Sequence, residues 1–258
     1  MIISSMKLTE FEEKVVEHIL QTSAPGKHAA RSALRHLDRA WKLVNEMPEL
    51  AIFSAITAEE ESATALFHVL KKCRYKNARL LNIRNHLHKT ALHPFLLAVG
   101  KLFIEFKEQY RPCFEFDHNS SSDETELLQL RVIVIDEASK EVWAYPMPPL
   151  EFTISVNGVI HTFAPQLSQL ATEKNMPSVL AYVQKLSNRR NLALYASPTG
   201  IPHADGSAEP FLIYRKSVVF SHLIALLLID PYPHQQAFVQ QTLNSFLAML
   251  QFMPDETS

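Results

Sequence analysis

Apolar side chains recur every three or four residues through most of the first half of the chain, and that period commits the region to helices. From Leu8 to Gln21 the residues Phe11, Val15, Val16 and Ile19 share one face, and Pro25-Gly26 ends the run. From Ala29 to Glu46 the apolar face is Ala30, Ala33, Leu34, Leu37, Ala40, Trp41 and Val44, with Arg31, Arg35, Asp38, Arg39 and Lys42 opposite. Asn45 suits a cap and Pro48 the first turn of a third helix, whose apolar spacing runs through Ile52, Ile56, Ala63, Phe67 and Leu70. The short connection makes the second and third helices antiparallel neighbours. A fourth pattern runs from Asn77 to Phe106, and Pro94 is expected to kink or split it.

The period then changes. The run Asp117 to Glu126 has almost no apolar side chain to bury and reads as a flexible connection. Beyond it, Leu130 to Ile135, Glu141 to Tyr145, Phe152 to Val156 and Val159 to Phe163 are short β-branched or aromatic runs, the last two joined by the hairpin dipeptide Asn157-Gly158. Helical spacing returns in Leu167 to Glu173, Pro177 to Leu186, Val218 to Ile229 and Gln235 to Met253, with a Pro- and Gly-bearing loop from Ser197 to Pro210. The expected fold is mainly α with a smaller α+β part: an antiparallel helical bundle followed by a small antiparallel sheet packed with helices. The expected division is a bundle over 1–114, a linker over 115–128 and an α+β domain over 129–258.

Composition narrows the function classes. With 25 basic and 27 acidic residues in 258, the chain has no general attraction for duplex DNA or an acidic membrane, so any nucleic-acid contact must be local. Five scattered glycines leave no Gly-rich turn to cradle a phosphate, which argues against P-loop, Rossmann and kinase-type sites. Cys73 and Cys113 stand alone, as reduced thiols do in a cytosolic protein. Val218 to Ile229, broken by Ser221 and His222, is too short to span a bilayer and reads as a core helix. A cytoplasmic protein without a membrane partner is the expectation.

The densest chemistry lies between Leu81 and Pro94, where one arginine, three histidines and a lysine crowd a single predicted helix. Continuing the stripe Leu80, Ile83, Leu87, Ala91, Phe95 puts Arg84 and His88 at its edge, facing the bundle, and His86, Lys89 and His93 on the far side. On the third helix Glu59 falls inside the stripe of Ile52, Ala55, Ala63, Leu66 and Leu70, whereas Glu60 is marginal and Glu61 points outward. A carboxylate so placed needs a buried partner, and Arg84 or His88 is the expected one. His86, His88, His93 and Glu59 or Glu60 offer metal-type donors, but His86 and His88 do not share a face, and neither a metal nor a cofactor is expected. Lys185, Arg189 and Arg190 near a helix end read as a solvated face, or as contacts for an RNA backbone. His203, His222 and His234 have no nucleophile partner recognisable in the sequence.

The Ala-rich helix pair from His36-Leu-Asp-Arg-Ala40 to Ala55-Ile-Thr-Ala-Glu59-Glu-Glu, followed by Arg84-Asn85 and histidine, resembles the HEPN superfamily, in particular its abortive-infection and toxin-type members, over Ala29 to Tyr110. That resemblance implies a metal-independent ribonuclease of a bacterial stress or phage-defence response, often composite across a homodimer formed by these N-terminal helices. Arg84, Asn85, His88 and Glu59 are the site residues it implies. The family places four to six residues between arginine and histidine, and here three separate Arg84 from His88. The chemistry would be attack of an RNA 2′-hydroxyl on the adjacent phosphate, with His88 moving a proton and Arg84 stabilising the developing charge. The alternative is a non-catalytic interaction or scaffold protein in which Glu59, Arg84 and His88 only lock the bundle.

Overall fold

The computed structural model describes residues 6–22, 25–105, 110–117, 126–135, 141–151, 154–156, 159–161, 163–170, 176–196, 200, 202, 204 and 208–251. Helix α1 (Glu10–Gln21) opens with a capping box: the Thr9 hydroxyl accepts from the Glu12 backbone N–H, and the Glu12 carboxylate accepts from that of Thr9. Helices α2 (Lys27–Leu43) and α3 (Pro48–Lys72) follow, with Pro48 in the first turn as its missing N–H allows. Alanines 30, 33, 40, 51, 55, 58, 63 and 65 are fully buried here, and their small side chains let the two backbones approach closely. Gly26 at the start of α2 is the extreme case, because a Cβ added there would lie 2.5 Å from the carbonyl oxygen of Ala65.

The fourth helical pattern is interrupted. A Schellman closure ends α3, with the Tyr75 N–H donating to the Leu70 carbonyl and the Arg74 N–H to that of Lys71. A 3-10 turn (Ala78–Leu80) and irregular chain come next, and α4 begins only at His86, capped by Asn85, to run through Pro94 to Glu105. Residues 77–85 therefore lie outside the α-helix that the periodicity placed there.

The expected linker over 115–128 is correspondingly smaller. Strand β1 (Tyr110–Asp117) and β2 (Leu127–Ile135) pair antiparallel and β3 (Glu141–Ala144) adds to β2, so both ends of the predicted linker are strand and β1 starts inside the predicted bundle; 118–125 lies outside the described residues. Pro112 is tolerated because β1 is an edge strand. Strands β4 (Ile154–Val156) and β5 (Val159–His161) pair with Val156 opposite Val159; the Asn157-Gly158 turn itself lies outside the described residues, as do several residues of the Ser197–Pro210 loop, including His203.

Helices α5 (Ala164–Leu170), α6 (Met176–Leu194), α7 (Ala208–Ile229) and α8 (Ala237–Leu250) complete the chain, which is mainly α with a small antiparallel β part. By length and composition α7 is apolar enough to cross a membrane, yet most of it is buried against α1, α2 and α3. The main hydrophobic core contains residues of both halves, from Val15, Leu34 and Phe67 to Leu223, Leu243 and Phe246. The division expected between 1–114 and 129–258 thus separates two stretches of sequence but not two cores.

Candidate functional site

Where α3, α4, α6 and α7 meet, polar side chains replace apolar ones at the centre of the bundle. Glu59 is fully buried, as its place in the α3 stripe requires, but its partner is neither Arg84 nor His88. The Arg215 guanidinium of α7 donates to one carboxylate oxygen, and the Tyr182 hydroxyl of α6 donates to the other at 3.1 Å. Arg215 is itself packed among the rings of Tyr214 and Phe211, 4.7 and 4.8 Å from their centroids, where its charge meets their electron-rich faces. Burial pushes the Glu59 carboxyl above its ordinary range, while Arg215 and Tyr182 pull it back. Burial likewise raises the Tyr182 phenol, and the adjacent Glu59 charge adds to that.

One turn further along α3, the Ser62 hydroxyl donates to the Glu59 carbonyl and lies 2.8 Å from Nδ1 of His222. The single hydroxyl proton is thereby used, so the His222 Nδ1–H is the donor of that second bond. His93 of α4 shares a hydrogen bond of 2.9 Å between its Nε2 and the Tyr214 hydroxyl, and its ring stands edge-on to His222 at 6.2 Å. Burial holds both imidazoles neutral, His93 with its pKa lowered to about 4 and His222 to about 3. Ser62 and His222 are wholly enclosed, so this pairing offers no nucleophile to a substrate.

Glu60 gathers a second group nearer the surface. One of its oxygens accepts from His86 Nδ1 at 2.7 Å and from Lys89 Nζ at 3.0 Å, and the other lies 4.0 Å from Arg190 Nη1. Glu60, His86 and Arg190 line a small cleft with Ile56, Thr90, Val183 and Leu186. The contact draws the basic run of α6 beside the start of α4. Arg189 lies 4.3 Å over the Phe211 ring, and Lys185 one turn earlier is exposed.

The facing expected on α4 holds for His86, which is exposed, and is reversed for Lys89 and His93. Lys89 and His93 are buried, at 7 and 4 % exposure, whereas Arg84 is exposed on the turn before the helix and His88 is half-buried. Carrying the helical phase back through Leu80 fails because residues 81–85 are not helical, and Glu60 of α3 and Tyr214 of α7 are the polar partners that let Lys89 and His93 face inward. Asn85 serves as helix cap, its Oδ1 accepting from the His88 N–H at 2.9 Å. His88 Nδ1 accepts from the Asn82 N–H at 3.2 Å, and the Arg84 N–H donates to Asn82 Oδ1 at 2.9 Å. Arg84, Asn85 and His88 thus lie on the turn that leads into α4, Arg84 exposed and the other two half-buried, and Glu59 is apart from them in the core. Among the described residues no three His, Cys, Asp or Glu side chains are grouped as metal ligands.

Arg215 and Tyr182 do not stand out in the sequence and His222 stands out there only without its Ser62 partner, although Arg215 and His222 carry the same signal as Glu59. Ala208, Leu212, Arg215, Val219, His222, Leu226 and Ile229 follow one another at helical spacing, so Arg215 and His222 fall within an apolar stripe. Compared with models of known families, with curated proteins and with solved structures, the chain matches none of them.

Proposed function

We propose that this protein binds single-stranded RNA on the surface where the first turn of α4 meets the last turns of α6. The observation that carries the reading is the convergence of His86, Lys89 and Arg190 on Glu60, which sets the start of α4 beside the stretch of α6 that also bears Lys185 and Arg189. A chain with a net charge of −2 depends on such a local concentration of Lys and Arg to attract a phosphate backbone. Single strands are favoured because Tyr195, 65 % exposed just past α6, offers a face on which an unpaired base can stack.

Cleavage on this surface would fall to Arg84 and His88. His88 would take up the proton that the 2′-hydroxyl loses as it attacks the neighbouring phosphate and, as imidazolium, return it to the leaving 5′-oxygen, which leaves a 2′,3′-cyclic phosphate. Arg84 would stabilise the charge gathering on the phosphate oxygens. Glu59 has no part in this step, being enclosed with Arg215.

The test is incubation of a labelled mixed RNA pool with purified protein in EDTA, alongside His88→Ala and the double variant Lys185→Glu/Arg189→Glu. Cleavage that survives EDTA and is lost in His88→Ala supports a ribonuclease. Salt-sensitive binding that the double variant abolishes, without cleavage, supports an RNA-binding protein. The second reading, a non-catalytic scaffold, is favoured by the enclosed Glu59–Arg215 pair, which holds α3 to α7 with no access for a substrate. Neither binding nor cleavage at low salt, by protein that melts cooperatively, would decide for it.

A further inference from the structure

A cavity of about 460 Å³ lies between α3, α4, α7 and α8, on the far side of the bundle centre from the polar cluster along α4 and α7. Phe67, Phe95, Ile224, Leu228, Leu243 and Phe246 line it, and strands β1 and β2 border it through Phe114 and Leu130. No charged side chain stands among the described residues that line it. Two hydroxyls interrupt the hydrocarbon. That of Ser221 donates to the Val218 carbonyl, and the Thr242 Oγ1 is buried with no hydrogen-bond partner among the described residues.

Apolar cavities take up ligands of matching size: one of about 150 Å³ holds a benzene ring, and pockets for small organic molecules start at roughly 300 Å³. A charged ligand would lose its hydration here and find no counter-charge in the lining. A purely hydrocarbon ligand would leave the Thr242 hydroxyl unanswered. From volume, lining and this one buried hydroxyl, we infer that the cavity is a binding site for an uncharged, largely hydrocarbon small molecule bearing a single hydroxyl or carbonyl. Gly100 of α4 is an exposed member of the lining, and a Cβ added there meets nothing within 4 Å, so a side chain can be added at the mouth of the cavity without a clash at its first carbon.

Binding of N-phenylnaphthylamine to the whole protein, followed by its fluorescence, and its displacement by decanol, decane and decanoate test the inference. One saturable site is expected, with decanol displacing the probe best, decane less well and decanoate not at all. Thr242→Val keeps the shape and should weaken decanol about 3- to 10-fold while leaving decane unchanged, as for one lost hydrogen bond. Gly100→Phe should abolish probe binding with the melting temperature kept. Non-saturable probe binding, displacement by decanoate as readily as by decanol, or unchanged binding in folded Gly100→Phe would overturn the site. Equal weakening of decanol and decane in Thr242→Val would overturn the role of the hydroxyl.

Discussion

Arg215 of α7 donates to the carboxylate of Glu59 of α3 across 156 positions of sequence, with both side chains almost wholly removed from water. Such a pair is costly to bury and costlier to halve, because removing one partner strands a charge in the core. Glu59→Leu and Arg215→Met should each lower unfolding stability by about 3–5 kcal/mol. The double variant Glu59→Leu/Arg215→Met should lose far less than the sum, since no charge is then left unpaired. Urea denaturation of the four proteins measures this, and additive losses would mean that the two groups are not coupled.

Acid should weaken the fold through His93 and His222. Both are neutral when folded, with pKa values near 4 and 3, whereas in the unfolded chain each takes up a proton at about pH 6.5. Their contribution is complete above pH 6.5 and is lost as the pH falls, because the unfolded state then binds protons that the folded state refuses. Between about pH 6 and 5 the slope approaches about 1.4 kcal/mol per pH unit for each histidine, and for His93 it falls away as the pH nears 4. Glu59 works in the opposite sense, since burial favours its protonated form in the folded state. Stability against pH should be shallower in His93→Asn/His222→Asn than in wild type; parallel curves would mean that the two rings do not govern acid sensitivity.

The helices and the burial of Glu59 were readable because both follow from spacing alone. Val15 with Ile19, Leu34 with Leu37 and Phe67 with Leu70 repeat at helical intervals and are buried in the places this implies. The partner of Glu59 was not readable, because nothing local to α3 specifies that α7, far along the chain, will cover that face. The same limit explains Lys89 and His93, whose positions look solvent-facing until α3 and α7 bring Glu60 and Tyr214 to them. Strand β1 escaped notice because Pro112 interrupts it, and an edge position that tolerates proline is a property of the assembled sheet.

Arg74 offers a test of backbone strain. It occupies the position after the α3 cap with φ of 56°, the left-handed region that the Schellman closure demands and that glycine adopts at no steric cost. Arg74→Gly should therefore raise stability, by up to about 1 kcal/mol after the added freedom of the unfolded chain is set against the relieved strain. A lower thermal midpoint would mean that the arginine side chain makes contacts outweighing its backbone.

Alanine scanning at two glycines should move stability in opposite directions. At Gly26 the new methyl would be driven against the Ala65 carbonyl, and neither backbone can yield without separating α2 from α3. Gly26→Ala should cost about 1–3 kcal/mol, the range for overpacking a tight contact. At Gly100 the methyl meets nothing, and the substitution only removes backbone freedom from the unfolded chain within a helix, so Gly100→Ala should gain about 0.5–1 kcal/mol. Thermal melts of the two single variants decide it. A gain at Gly26 would show that the α2–α3 approach is looser than its geometry, and a loss at Gly100 would show that the glycine is needed where α4 borders the cavity.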